Sequence, residues 1–241
     1  MAKETNVEKI REISIKLLYA VEIKEHPNGM IVQHPYTNTR YTMNPENGQT
    51  VDLTNKKERQ EWQTAIESQI RKSEVDTIIY LLLNEPWSIV WLNLVEPYLS
   101  LKDFSDILSN VWTVVEFPNN CGVKLTTLIK YFKQADKKIL MDSEEYQTWV
   151  NLPDEVTLYR GIAGDGKVNG ISWTRSEQTA EWFAKRLLCG EQKGEVYKII
   201  VPKEHCLCYF NGRDEQEVIL DTSLREVQDK ISLYQICAKD A

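Results

Sequence analysis

The chain has 241 residues, 42% of them hydrophobic, enough to bury a real core as one large domain or two smaller ones. Its net charge of -7, from 36 acids against 29 bases, disfavours generic binding to a phosphate backbone, which draws on a surplus of Lys and Arg. The longest apolar run, TIIYLLL from Thr77 to Leu83, is far short of the roughly 20 residues that span a bilayer, and the N-terminal MAKETNVEKIREI has no apolar signal core. A protein with no membrane partner is therefore expected.

Residues 1–53 mix a helix-or-strand candidate, VEKIREISIKLLYAVEI, with the turn-rich HPNGM and the Asn47-Gly48 dipeptide, a hairpin signal. From Thr54 to Asn151 apolar residues recur at three-to-four spacing, which predicts packed helices. Thr54 or Asn55 can cap the first, and Asp142 or Ser143 ahead of Glu145 can cap the last. KLTTLIKYFKQADKK carries Lys124, Lys130, Lys133, Lys137 and Lys138 opposite an apolar stripe of Leu125, Leu128, Ile129 and Phe132, so it reads first as the solvated face of an amphipathic helix.

After Pro153 the texture becomes β-rich: EVTLYRG, GISWTRS, GEVYKIIVP, HCLCYFN and EQEVILD are short runs of bulky or β-branched residues between Gly, Asn and Asp clusters. One helix interrupts, SEQTAEWFAKRLL, with Ser176 as N-cap and Ala180, Phe183, Ala184 and Leu187 as its buried stripe. No flexible linker separates the halves, which are expected to pack around the Asn151 to Asp154 junction. Five cysteines (121, 189, 206, 208 and 237) follow no disulfide framework, and reduced thiols in a cytoplasmic compartment fit them best. Cys206 and Cys208 lie in a run that reads as a buried strand, so no metal is expected. GDGK lacks the rest of a P-loop, and the three histidines, 26, 34 and 205, form no persuasive Ser-His-Asp order.

Three β strings carry chemistry-bearing side chains. EVTLYRG offers Arg160 at a strand end, then Gly161, whose missing side chain would let a ligand reach the backbone. ISWTRS places Ser172 and Thr174 on one strand face and Trp173 on the other. GRDEQEVIL puts Glu215 and Glu217 on a common face, provided the segment is extended. Each string alone has a plain structural reading: a surface ion pair, a strand-edge hydroxyl, a core indole, a solvated strand end.

In order and together, Arg160, Ser172-x-Thr174 and Glu215-x-Glu217, spaced by 12 and 45 residues, resemble the R-S-E signature of the cholera-toxin-like branch of the mono-ADP-ribosyltransferases. The surrounding LYRG, GISWTRS and EVILD text is similar to bacterial and phage-encoded members with a helical front half. The resemblance covers about Leu152 to Thr222. It departs where a common Ser-Thr-Ser reads Ser-Trp-Thr, and no nicotinamide-stacking aromatic is placed, Trp182 and Phe183 being the nearest candidates.

The residue pattern predicts a mixed segment with a hairpin (1–53) and a helical region (54–151), and the resemblance adds an NAD-binding split β-sandwich (152–241), giving an α+β protein. It implies NAD+ as substrate, with Arg160 gripping phosphate and ribose, Gly161 meeting the carboxamide, and Ser172 steadying the carboxylate. Trp173 and Thr174 shape the strand around the ribose. Glu217 is the catalytic acid and Glu215 the group that handles the nucleophile, a protein arginine. The implied setting is a toxin of a toxin-antitoxin or phage-defence system, or a phage effector, with an antitoxin or inhibitor protein as a further partner. Alternatives are ADP-ribosylation of an RNA base landing on the Lys124 to Lys138 face, plain NAD+ hydrolysis, and a non-catalytic binding module.

Overall fold

In the computed structural model, which describes residues 3–23, 31–116, 122–164, 166–186, 188 and 192–237, several helices start where a short polar side chain accepts the first free amides. Asn6 accepts from Lys9 N, Asn55 from Lys57 N and Glu58 N, Ser100 from Asp103 N, Asp142 from Glu144 N and Glu145 N, and Ser176 from Thr179 N. Two compact units result, Met1–Cys121 and Gly122–Ala241.

The first unit contains α1 (Val7–Ala20), two short hairpins, β1 (Ile31–His34) with β2 (Thr37–Thr39) and β3 (Tyr41–Met43) with β4 (Thr50–Asp52), then α2 (Lys56–Lys72) and α3 (Val75–Thr77). A π-type turn (Ile78–Leu82), α4 (Ser88–Val95) and α5 (Leu101–Val114) complete it. The ambiguous first segment is thus a helix. Gly48, at φ 71°, closes the loop that joins β3 to β4, as its Asn-Gly pair suggests; HPNGM lies outside the described residues. Trp62, Trp91 and Trp112 are all buried in this unit.

Polar groups in this core are paired. Trp91 Nε1 donates to Ser14 Oγ at 2.8 Å, Ser14 Oγ donates to Ile10 O, and Tyr36 OH donates to Ser14 O. His34, fully buried, donates from Nε2 to Leu18 O at 3.1 Å and accepts the Tyr36 amide on Nδ1 at 3.2 Å. The second contact requires the neutral ring with its proton on Nε2.

In the second unit α6 (Leu125–Gln134), α7 (Lys137–Leu140) and α8 (Ser143–Val150) precede β5 (Glu155–Ala163) and β6 (Ser172–Thr174). Then come α9 (Glu177–Lys185), β7 (Gly194–Pro202), β8 (Cys206–Phe210), β9 (Glu217–Leu220), α10 (Arg225–Gln228) and β10 (Ser232–Cys237). The protein is therefore α+β, and its strands form one six-stranded antiparallel sheet in the order β10-β7-β5-β6-β9-β8. Three helices that look continuous with the helical region in sequence belong to the unit that holds this sheet.

The sheet is pinched at its middle. β5 and β7 pair along their whole length, from Glu155↔Pro202 to Ala163↔Gly194, whereas β5 meets β6 at one register position, Tyr159↔Thr174. Helix α9 covers the β10-β7-β5 half, with Ala180 and Ala184 packed on Val196, Cys237 and Tyr159. That approach requires glycine beneath it: a Cβ on Gly161 would stand 1.8 Å from Ala180 O, and one on Gly194 2.0 Å from Ala184 O. Phe183 in the expected stripe is only half-buried, Trp182 beside it is 54% exposed, and Leu187 is outside the described side chains. On the other half Phe210 of β8 meets Phe132 of α6 edge-on at 6.3 Å.

Burial lowers the His34 pKa to about 4, because a charged ring would sit without water and would oppose the Tyr36 amide. The unfolded chain binds this proton near pH 6.5 and the folded chain does not, so the contribution is complete above that pH and fades as pH falls towards 4. Between pH 7 and 5 the protein should lose on the order of 2 kcal/mol more stability than its His34→Gln variant. Urea midpoints at the two pH values measure this; equal losses in both proteins would place the proton on another group.

Candidate active site

The three motif strings, far apart in sequence, run into three adjoining strands, β5, β6 and β9. Pairing aligns Ser172 with Ile219, Trp173 with Val218 and Thr174 with Glu217, and Thr174 is also opposite Tyr159. Residues directly opposite share a sheet face, so Tyr159, Thr174, Glu217 and Phe210 form one row across the sheet. Its Tyr159 end lies under α9 and its Phe210 end against α6, with Thr174 and Glu217 between, at 5% exposure each. Ser172 stands one diagonal step from Glu217, and the residue across the strand from the acid is Thr174.

Thr174 ties three segments together. Its Oγ1 donates to Glu215 O at 2.6 Å and accepts the Ser176 amide at 2.9 Å, immediately before α9 begins. Arg175 N donates to Gln216 O at 3.1 Å, so strand β6 grips the acidic loop at two successive residues. Trp173 is core, 1% exposed, and its indole closes the preceding turn by donating to Gly170 O at 2.9 Å.

Alternation along β5 sends Arg160 to the face opposite Tyr159, alongside Tyr197 of β7. The half-buried guanidinium lies against Gly170, where a Cβ would come within 2.3 Å of an Arg160 terminal nitrogen. Nε and one terminal nitrogen donate to Lys167 O at 3.3 Å, and the other donates to Ser172 O. Burial brings its pKa down to about 10, while attraction to the Glu217 carboxylate works the other way. Two groupings therefore exist, Arg160 with the Ser172 backbone and Thr174 with Glu215 and Glu217, in electrostatic contact where β5 and β6 part.

The premise of a continuous strand through both acids is corrected. β9 begins at Glu217, and Asp214 and Gln216 have φ of 55° and 47°, left-handed values that an extended strand does not contain. Glu215 is thus a loop residue, half-buried, with Oε2 accepting from Arg213 at 3.2 Å. Gly161 also has a different reason to be glycine: its side-chain direction is filled by α9 rather than open to a ligand.

Two residues outside the motifs belong to this neighbourhood, Glu145 and Asn211. Glu145 Oε1 accepts the Asn211 amide at 2.7 Å, and Asn211 Oδ1 accepts the Gln216 amide at 3.0 Å. The capping-box pattern announces the local half of Glu145 but not its reach to residue 211.

Other candidates are structural. Cys206, Cys208 and Cys237 are buried and form no disulfide; burial raises Cys206 to about 12 and Cys208 well above its usual value, so neither of these two is a ready thiolate. Among the described residues no three His, Cys, Asp or Glu side chains gather as a metal site, and no helix is long and apolar enough to cross a membrane. On α6, Lys133 forms a 2.5 Å ion pair with buried Asp221 just after β9; Lys137, expected on the same helix, instead opens α7 and donates to Phe132 O with its amine pKa lowered by burial. An open depression of about 530 Å³, lined by Trp149, Asp154, Pro202, Lys203, Glu204 and Cys206, lies at the opposite end of the β8-β9 pair from Glu217. A scan against family models and searches of curated proteins and solved structures found no match to this chain.

The Thr174 hydroxyl is a local test of this geometry. Thr174→Val keeps the shape but strands the Ser176 amide and the Glu215 carbonyl, and should cost roughly 1–3 kcal/mol of stability. Denaturant unfolding of the two proteins measures it; an unchanged midpoint would mean that water replaces both contacts.

Proposed function

We propose that the protein is an NAD+-dependent mono-ADP-ribosyltransferase of the R-S-E type, with the pinched six-stranded sheet as its split NAD-binding core. The observation that carries this reading is the placement of Arg160, Ser172, Thr174 and Glu217 on three adjoining strands where the two halves of the sheet meet at one pair, with Glu215 in the loop that leads into the third strand. Intact acid and arginine positions argue against a non-catalytic module.

NAD+ supplies the reacting bond. The nicotinamide to C1′ bond breaks, its electron pair leaves with nicotinamide, and positive charge develops on the ribose. A carboxylate held rigidly beside that carbon lowers the barrier, and Glu217, fixed in β9 opposite Thr174, has the needed constancy of position. It also binds the ribose 2′-hydroxyl. Arg160, after its contacts with Lys167 O and Ser172 O, keeps further N–H donors of its planar fork for phosphate or ribose oxygens. Ser172, on the neighbouring strand β6, stands one diagonal step from the acid. The acceptor's lone pair then bonds to C1′, and Glu215 takes the proton released from it.

Protein arginine is the acceptor this arrangement favours. Glu215 offers a carboxylate to a guanidinium, whereas the lysine face proposed for RNA loses Lys133 to Asp221 and Lys137 to Phe132 O. The setting we propose is the cytoplasm of a bacterial cell, with the enzyme acting as a toxin, defence or phage effector held in check by an inhibitor protein.

Label from NAD+ incorporated into lysate, followed by protease or ribonuclease digestion, tests the reading and identifies the acceptor class. Glu217→Gln should lower both transfer and nicotinamide release by about a hundredfold or more, with NAD+ binding little changed. Glu215→Gln should remove transfer and leave slow glycohydrolysis. Normal turnover in the first variant removes Glu217 from the reaction, and parallel loss of both activities in the second moves Glu215 into the NAD+ site. Arg160→Lys should weaken NAD+ binding by roughly tenfold or more in calorimetry, since a point charge cannot reproduce a planar fork; unchanged affinity would leave Arg160 only its ties to the Lys167 and Ser172 carbonyls.

A further inference from the structure

The acidic loop is held from a second side. Glu145 is 9% exposed and divides its carboxylate between two parts of the fold: Oε2 accepts the Asp142 amide of its own capping box at 3.1 Å, and Oε1 accepts the Asn211 amide at 2.7 Å. Asn211 passes the constraint forward. Its Oδ1 accepts the Gln216 amide at 3.0 Å and its backbone oxygen accepts the Asp214 amide at 2.9 Å. Asp214 and Gln216 are the described non-glycine residues with positive φ, and Glu215 is the residue between them. A left-handed Gln persists only where its surroundings over-determine it.

Glu217 and Glu215 differ in what holds them. Backbone pairing to Thr174 and Phe210 fixes Glu217 from both neighbouring strands. Glu215 has its carbonyl on Thr174 and its carboxylate on Arg213, itself a residue of the loop. Its carboxylate position therefore follows the loop, and the loop follows Asn211 and Glu145.

We infer that Glu145 and Asn211 are positioning residues, a clamp that sets the stance of Glu215 beside Glu217 and so partitions the ribosyl group between a macromolecular acceptor and water. The partition rests on the transferase reading above; the clamp rests on the hydrogen bonds alone. A bulky acceptor gains from a base held in place, because its reacting atom arrives with little freedom to adjust, whereas water adjusts to a displaced base.

The test uses the full chain and three variants. Asn211→Ala keeps its amide on Glu145 but removes the acceptor for Gln216, Asn211→Asp keeps an acceptor there, and Glu145→Gln keeps one carboxylate oxygen and replaces the other with a donor. Amide hydrogen exchange at Gln216 is read alongside label transfer and nicotinamide release from the same samples. Asn211→Ala should speed exchange at Gln216 by about tenfold and lower transfer about tenfold, with nicotinamide release within about twofold of wild type. Glu145→Gln should move in the same direction, and Asn211→Asp should restore the wild-type ratio of transfer to release. Transfer and release falling together, or faster exchange with an unchanged ratio, overturns the partition and leaves the transferase reading standing. Unchanged exchange at Gln216 in Asn211→Ala overturns the clamp. A wild-type chain that releases no nicotinamide and labels no acceptor overturns the transferase reading and the partition together, while the exchange rates still decide the clamp.

Discussion

Thr174 is the point on which the second unit turns. Its backbone is paired with Tyr159 on one side and Glu217 on the other, so the two halves of the sheet are joined through it. Its hydroxyl accepts the amide at the entrance to α9 and donates to the carbonyl of Glu215. A single buried side chain thus links a helix start, a strand junction and an acidic loop. β-branching suits it to the strand, and the hydroxyl supplies both a donor and an acceptor where two backbone groups would otherwise be buried unpaired. Because β5 and β6 share only this pair, Arg160 and Glu217 approach from strands that diverge beyond it.

Glycine serves the same architecture by subtraction. Gly161 and Gly194 allow the α9 backbone to lie on β5 and β7, and Gly170 leaves room for the Arg160 guanidinium beside the turn that Trp173 closes. The sequence shows Gly161 next to Arg160 and invites the thought of a ligand at its backbone, but the space belongs to Ala180 and Ala184. Close packing of α9 and a ligand contact would leave the same mark in sequence, and only the third dimension separates them.

Much of the local architecture was legible because it is governed by neighbours in sequence. Asn55, Asp142 and Ser176 act as caps, the lysine-bearing helix buries Leu128, Ile129 and Phe132, and the run around Cys206 and Cys208 is a buried strand. What was not legible depends on contacts far along the chain. Gln216 has no intrinsic preference for positive φ, so an extended reading of EQEVIL was natural, and Asn211 overrides it with one side-chain oxygen. Glu145 shows its helix-capping half in the pattern Asp142-x-x-Glu145, while the bond to Asn211 has no sequence mark. Lys133 is exposed, as its helix face suggests, but its ion pair with Asp221 has no sequence mark. For the site itself the motif order named the central strands, and the register between them, with Thr174 rather than Ser172 opposite Glu217, came from pairing.

The loop geometry separates two acids that sequence places one residue apart. Had residues 215–217 been extended, the two carboxylates would share a strand face and a common rigidity, and bringing like charges together on it would cost both. The left-handed turn at Gln216 places them on different supports: Glu217 in a paired strand at 5% exposure, Glu215 on a loop whose side chain is 18% exposed and partnered by Arg213. On the proposed chemistry that division has a purpose. NAD+ presents the same ribose at every turnover and rewards an immovable acid, while a macromolecular acceptor arrives from solvent and needs a carboxylate at the surface. The conformational cost of Gln216 is then the cost of giving the two acids unequal exposure, and it is met by hydrogen bonds from α8 and β6 that converge on the loop from opposite ends.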